Sequence, residues 1–412
     1  MTTPETSKIV AKRRVFYIPG YDPIHPRRYR ELYRKEGASQ AQISGYKIGI
    51  SPKEKSDVYG WYADATVDGV TTKAEIDVLV WSDIVRNSMS NSIAATYWQL
   101  ARTAWTYIAS GTLRRLMWMR KGPVIAALYP VGALLLQLLL AVIAAIVVTK
   151  SGQALLVPFI GAIGQFIAVA AALGLAYFIL DWCRKKDGKI FAYYLMHDFA
   201  HSAKYNGAYG ADVEARIAHF GTLISQALQS DADEVLIVGH SSGAHLAISI
   251  LSDLIRAGKV PQNGPHLSLL SLGQVVPMVS FLPRAHRLRS DLAFLSARDE
   301  VTWVDVTAPG DGCTFALCDP VSVTGVTPPG KRWPLVISAA FTQSLKPETW
   351  KALRWRFFRL HFQYLCAFDA PLDYDYFQIT AGPLTLAERY KDRKSAKSRI
   401  DVPASKYTSL AP

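Results

Sequence analysis

Val235-Leu236-Ile237-Val238-Gly239-His240-Ser241-Ser242-Gly243-Ala244-His245-Leu246-Ala247 decides how this chain is read. Four apolar residues run into Gly-His-Ser-Ser-Gly, and a helix-forming stretch follows. That is the pattern of a buried strand, a tight turn and a helix. The turn carries Ser241 at its tip, its hydroxyl beyond the sheet edge. The backbone N–H of Ser242 then faces the place where an oxyanion would develop. Gly239 and Gly243 let strand and helix approach each other around the strained turn. A Gly/Ser-rich turn in an unrelated α/β protein has similar composition. The strand before and the helix after favour a nucleophile.

Outward from this turn, strands and helices alternate. Toward the N-terminus the pattern predicts a strand over 13–18 ending at Pro19-Gly20-Tyr21-Asp22-Pro23 and a helix over 27–42. Strands follow over 46–50, 57–67 and 75–81. Helices are predicted over 190–203 and 211–229 before the turn, and one to about 257 after it. Further on come a strand over 267–276, a helix over 285–297, strands over 301–306 and 335–339, and a helix over 347–358. Such alternation argues an α/β fold, a mainly parallel sheet with helices on both faces. The tail 391–412 is polar, basic and expected to be loose, as is the N-terminal stretch 1–12.

Between the early strands and the Ser241 turn lie two long uncharged apolar runs, 124–148 and 154–180. Each is long enough to cross a bilayer as a helix. Thr149-Lys150-Ser151-Gly152-Gln153 reads as the link, and Gly161, Gly164 and Gly174 would let the helices pack closely. Arg114, Arg115, Arg120 and Lys121 precede the pair, and Arg184, Lys185, Lys186 and Lys189 follow it. This bias predicts a two-span membrane protein with its soluble parts on the cytoplasmic side. Segment 93–121 carries Tyr97, Trp98, Trp105, Tyr107 and Trp118 with few charges, a composition shared by an interfacial helix and by a substrate-side lid or plain core helix. The resulting division is 1–12, 13–92, 93–121, the transmembrane hairpin 122–182, 183–390 and 391–412.

The bulk composition agrees. Half of the 412 residues are hydrophobic and the net charge is +13. A basic balance suits nucleic acid or an anionic membrane face. No nucleic-acid motif is present, so the expected partners are a lipid bilayer and an ester or lipid-like substrate, with no nucleic acid. Cys183, Cys313, Cys318 and Cys366 have no metal-finger spacing and read as thiols, with a Cys313–Cys318 bridge left open. Neither a cofactor nor a metal is expected. His197 and His201 stand one helical turn apart as a zinc pair would, but no third ligand is evident. Segment 350–362 mixes arginines with aromatics and could face anionic headgroups or solvent.

On the strand–Gly-His-Ser-Ser-Gly–helix element and the order of elements, the chain resembles the α/β-hydrolase superfamily on its esterase and lipase side. The resemblance covers about 13–83 and 190–390, with the apolar pair as an insertion. It implies an order of serine, then acid, then histidine. Beyond residue 301 the sequence holds one histidine, His361, which becomes the expected base. Asp311, just past the strand 301–306 in Pro-Gly-Asp-Gly, is the expected acid, with Asp305 and Asp319 as alternatives. Asp311 and His361 stand 50 positions apart (361 − 311), a longer spacing than the fold often shows. The second oxyanion donor would be the N–H of Gly20 or Tyr21, beside that of Ser242, although no His-Gly-Gly-Gly-like run is present. His266 and His286 also follow Ser241 but precede the acid-bearing loop; of His240 and His245, which flank the serine, His240 reads as structural. The implied activity is a membrane-anchored serine hydrolase cleaving an ester, favouring a lipid or acyl ester, through an acyl-enzyme. An acyltransferase would use the same triad, and a non-catalytic hydrolase-like scaffold is the alternative of another class.

Overall fold

The computed structural model of the chain describes residues 9–53, 57–89, 92–187 and 192–412. Lys189 and the start of the helix expected over 190–203 lie outside these residues, as do residues 1–8. In chain order the first elements are β1 (Lys12–Ile18), α1 (Arg27–Ser44), β2 (Lys47–Pro52), β3 (Gly60–Val67), β4 (Val70–Val78), α2 (Ser82–Ser88), α3 (Ile93–Ala109), α4 (Thr112–Met119) and α5 (Lys121–Lys185). The later strands are β5 (Glu234–His240), β6 (His266–Leu272), β7 (Val301–Thr307) and β8 (Leu335–Ser338).

The chain divides into two compact units: residues 1–86, 110–123 and 205–412, and residues 87–109 and 124–204. The first holds one eight-stranded sheet in the order β2-β3-β4-β1-β5-β6-β7-β8. β3 is antiparallel to both its neighbours, and the remaining pairs are parallel. The fold is therefore α/β with a mainly parallel sheet. β5 is buried along its whole length. Leu236 and Val238 point into a core with Tyr29, Tyr33, Tyr376 and Phe377. Val235 and Ile237, facing the other way, are equally buried. A strand covered on both faces has to be apolar throughout, which is why Val-Leu-Ile-Val marks the sheet centre.

Two local signals set the near edge. Asp68 and Gly69 both take positive φ, 50° and 79°, and close β3 onto β4 as a two-residue hairpin. Beyond residue 86, the segment 93–121 is not one helix. Gly111, at φ 75°, separates α3 from α4.

Both termini differ from expectation. Val10 is fully buried and its N–H reaches the Pro383 carbonyl at 2.9 Å. In the tail, Ala396 N–H bonds Val336 O, Ala404 N–H bonds Val323 O, and the buried Arg289 donates to Ser409 O. A polar segment that supplies partners to otherwise unpaired backbone groups docks without needing apolar side chains of its own. The helix expected over 347–358 is also broken, into Pro347–Leu353 and Phe357–His361.

In the second unit, Leu128–Lys185 of α5 is long and apolar enough to cross a membrane, judged by length and composition. The link expected at Thr149–Gln153 is helical. The break falls at Gly161 (φ 53°, ψ −132°), shortly after Pro158. A Cβ on Gly152 would stand 2.8 Å from the Ala168 Cβ, and one on Gly164 2.7 Å from the Leu156 carbonyl carbon. Residues sixteen apart in a straight helix are about 24 Å apart, so the chain doubles back here. Proline and glycine, not the polar Thr-Lys-Ser run, set the reversal, because only they disrupt the helical backbone itself. α3 and the helix Ala192–Ala203 belong to this unit, where Leu100, Leu134, Tyr193 and Met196 form a small core.

Gly243 is the tightest point beside β1. A Cβ there would lie 2.2 Å from the Ile18 carbonyl oxygen and 2.7 Å from that of Pro19. Both obstacles are backbone, at the end of the central strand and in the first residue after it, so Gly243→Ala is expected to destabilise the protein by about 3 kcal/mol or more. A shift of the urea unfolding midpoint at unchanged slope measures it.

Candidate active site

The apolar run of β5 ends at His240, and the next residue, Ser241, takes φ +55°. A non-glycine residue in the left-handed region is uncommon and strained. Its surroundings hold it there. Ser241 N–H donates to Leu272 O at 2.8 Å, and Ser241 O accepts from Ala244 N–H at 3.1 Å. The helix Gly243–Arg256 then begins at once, with the buried Ser242 at its cap. A Cβ on Gly239 would meet the Ala244 Cα at 2.7 Å, so the sharp turn depends on glycine there.

The loop after β1 lies against this turn. A Cβ on Gly20 would lie 2.8 Å from Ser241 Cβ and 3.3 Å from its Oγ. The loop is pinned from several sides. Trp81 Nε1 donates to Pro19 O at 2.8 Å, Ile24 N–H to Asp22 Oδ1 at 2.9 Å, and the Tyr29 hydroxyl to Asp22 Oδ2 at 2.6 Å. Tyr21 is buried, its ring edge against Trp81. β1 has β4 on one side and β5 on the other, so the strand order reverses at β1. Crevices at such points, outside the carboxyl ends of the strands, are where open α/β sheets bind ligands.

His361 reaches the same place from the end of its short helix. Its Nδ1 lies 2.7 Å from Asp311 Oδ2, and both side chains are buried. A carboxylate only accepts, so the proton of the neutral imidazole sits on Nδ1 and Nε2 carries the lone pair. Nε2 is buried and, among the described residues, has no hydrogen-bond partner. The ring stands over the end of β6: a Cβ on Gly273 would be 3.0 Å from His361 Cε1, and Gly273 follows the Leu272 that binds Ser241 N–H.

Asp311 is held on both oxygens. Oδ1 accepts from Cys313 N–H at 2.9 Å and Oδ2 from the Tyr364 hydroxyl at 3.1 Å. That hydroxyl in turn accepts from Ala308 N–H at 3.0 Å. Burial, followed by the neighbouring Asp311, pushes Tyr364 well above its ordinary value, so it stays a donor. His240 stacks on His361 at 4.8 Å between centroids, with its Nε2 3.1 Å from the His361 carbonyl and its Nδ1 3.3 Å from the Tyr17 hydroxyl. Burial first, and then the neighbouring His361, hold His240 well below its usual value, so it backs the second ring as a neutral group. Sequence alone marks neither Tyr364 nor the His240–His361 stack, since both arise from tertiary packing.

The structure thus gathers Ser241, Ser242 and Gly20 at one turn, with Tyr21 beside them, and joins Asp311 to His361. The alternatives are otherwise engaged. Asp319 caps the helix Pro320–Thr324 and pairs with Lys331. His286 faces Ser409 O, and His245 stacks on Tyr209. His266 opens β6, at the strand end opposite the turn. His197 Nδ1 lies 2.8 Å from Gln99 Oε1, and burial pushes it down to about 4. All four cysteines are free. Asp311, Cys313 and His361 each bring a ligand-type atom within 4.8 Å of the others, but the Asp311–His361 bond already occupies two of those groups.

Asp305, inside β7, receives Ser271 Oγ–H at 2.5 Å, and burial pushes it up to about 8. A carboxyl raised in the folded state binds more protons there than in the unfolded chain. Stability is therefore fully present below its ordinary value of 3.8 and is lost as pH rises toward about 8. Asp305→Asn is expected to flatten that fall, seen as a smaller drop in Tm between pH 5 and pH 8.

Compared with protein families, curated proteins and solved structures, the chain matches none of them.

Proposed function

We propose that this protein is a membrane-anchored serine hydrolase that cleaves an ester, with a lipid or acyl ester favoured. The buried His361–Asp311 pair carries the reading: its Nε2 has no hydrogen-bond partner among the described residues, and its ring stands over Gly273, next to the Leu272 whose carbonyl binds the N–H of Ser241 on its strained strand–turn–helix. A buried polar nitrogen left without a partner is unfavourable for folding alone. A general base, by contrast, needs its acceptor atom open to the incoming proton. The chain order of serine, acid and histidine, and the meeting of Gly20 and Ser241 at the carboxyl ends of β1 and β5, support a likeness to the α/β-hydrolases.

In the proposed reaction Ser241 Oγ attacks the ester carbonyl and His361 Nε2 takes its proton. A C–O bond forms, and the carbonyl electrons become an oxyanion facing the backbone N–H groups of Ser242 and of Gly20 or Tyr21. As the intermediate collapses, His361 returns the proton to the departing alcohol. Water, activated by the same imidazole, then releases the acid. Asp311 holds the tautomer and offsets the imidazolium charge.

The apolar arms on either side of Gly161 support a bilayer anchor. A chain that doubles back enters and leaves at one end, so both flanks share a side. Arg114, Arg115, Arg120 and Lys121 before the arms, with Arg184, Lys185 and Lys186 after them, favour the cytoplasmic one.

A fluorophosphonate probe tests the reading on the full chain in detergent. Labelling of the wild type that is absent in Ser241→Ala supports it. Folded wild-type protein that takes no label overturns it.

A further inference from the structure

We propose that the ester handled at Ser241 carries a phosphate group, bound by Arg27 and Arg28 at the rim of the site. The inference rests on the hydrolase reading and adds the substrate class.

α1 opens directly after the loop that carries Gly20, with Arg27 and Arg28 as its first residues and Arg30 close behind. No acidic residue stands in that first turn. Arg27 and Arg30, three positions apart on one face, repel each other, and all three arginines oppose the positive end of the helix dipole, so folding alone does not favour the arrangement. Neighbouring carboxylates do little to neutralise them. Arg28 has Asp22 at 3.5 Å, but that oxygen already accepts the Tyr29 hydroxyl at 2.6 Å. Glu31 is turned to Arg34 at 3.0 Å. Among the described residues, neither Arg27 nor Arg30 forms an ion pair.

Arg27 and Arg28 line an open space beside the loop that carries Gly20. A cleft of about 550 Å³ is bounded by Ile24, His25, Arg27, Arg28 and Glu31. The Arg28 guanidinium lies 4.5 Å over the ring of Phe362, the residue after His361. That ring lies 5.2 Å from His240. One side chain, Phe362, therefore separates the cation from the imidazole pair. Arginine presents a planar fork of donors matched to phosphate oxygens, which a lysine would not. Water adds across the acyl C–O bond, and the phosphate serves as a handle and is not cleaved.

Two phosphorylated esters, each paired with its neutral counterpart, test this on the full chain in detergent. Dihexanoyl phosphatidic acid against dihexanoylglycerol represents a lipid headgroup. Butyryl glycerol 3-phosphate against monobutyrin represents a soluble phosphate. The expected result is kcat/KM at least tenfold higher for one phosphorylated ester than for its partner, and the pair that shows it identifies the source. The ratio should fall toward one in Arg28→Gln and in the exposed, unpaired Arg27→Gln, and should persist in Arg34→Gln. A wild-type ratio near one, or a ratio untouched by either substitution, overturns the inference while Ser241-dependent turnover of the neutral ester leaves the hydrolase reading standing. If neither ester is turned over and Ser241 takes no fluorophosphonate label, the hydrolase reading falls and this inference falls with it.

Discussion

Ser241→Gly is expected to abolish ester hydrolysis and at the same time make the protein more stable. Ser241 sits at φ +55°, where a side chain crowds its own backbone and glycine does not. Holding a non-glycine residue there costs about 1–3 kcal/mol. The hydrogen bonds from Ser241 N–H to Leu272 O and from Ala244 N–H to Ser241 O use only backbone and survive the change. Removing the nucleophile of a triad lowers kcat by roughly a millionfold. Ser241→Ala gives the control: it loses the hydroxyl but keeps the Cβ, so it should be equally inactive without the gain in stability. Turnover of p-nitrophenyl butyrate and urea midpoints for the three proteins measure both effects. A less stable glycine variant would mean that the turn stores no strain and that nothing but ordinary packing put serine there. The pairing of gain and loss is the mark of a site kept for chemistry at the expense of the fold.

That serine was legible in the sequence because every local signal around it agrees. An apolar run buried on both faces, two glycines at close backbone contacts and a following helix leave little freedom. His361 and Asp311 were legible for a weaker reason: chain order left one histidine after residue 301, and the carboxyl end of β7 offered Asp311. Their 50-residue separation was bridged by packing that no local pattern records. Tyr364 lies three residues after His361, yet nothing in the sequence ties its hydroxyl to Asp311. The apolar hairpin shows the opposite error. Hydropathy found the apolar mass, but the polar Thr149–Gln153 run drew the turn about ten residues early. Helix interruption follows backbone chemistry, here Pro158 and Gly161, and not polarity. The Asp68-Gly69 turn that starts β4 at Val70 was readable on the same grounds, since such a pair specifies a two-residue hairpin. The docked tail was not, because its bonds are backbone to backbone and leave no trace in side-chain pattern.

Asp311→Asn is expected to lower kcat by about 10⁴-fold with little change in KM, and the hydrogen-bond network explains why so small a change should do so much. In the wild type, Oδ2 accepts from both His361 Nδ1–H and the Tyr364 hydroxyl, and Oδ1 accepts from Cys313 N–H. An amide offers one accepting oxygen and one donating nitrogen. If its oxygen faces His361, its NH₂ is driven against Cys313 N–H, donor to donor. If it turns, its oxygen satisfies Cys313 and its NH₂ faces Nδ1, while the Tyr364 hydroxyl can rotate to accept. The second arrangement removes the donor-to-donor clash, leaving only the Tyr364 O–H without its acceptor, and moves the imidazole proton to Nε2, the atom that would receive the serine proton in the proposed reaction. The network therefore selects the inactive tautomer. Tyr364→Phe should act differently. It removes one donor from the carboxylate and leaves Ala308 N–H unpaired, costing about 1–3 kcal/mol of stability while leaving Asp311 as an acceptor for Nδ1–H. Its kcat should fall by roughly tenfold, the effect of about 1.4 kcal/mol. Imidazole nitrogen shifts of His361, together with kcat for both variants, separate the two cases. An Asp311→Asn enzyme within tenfold of wild type would show that some other group orients the base, and the carboxylate would then be a structural anchor for the Cys313 turn.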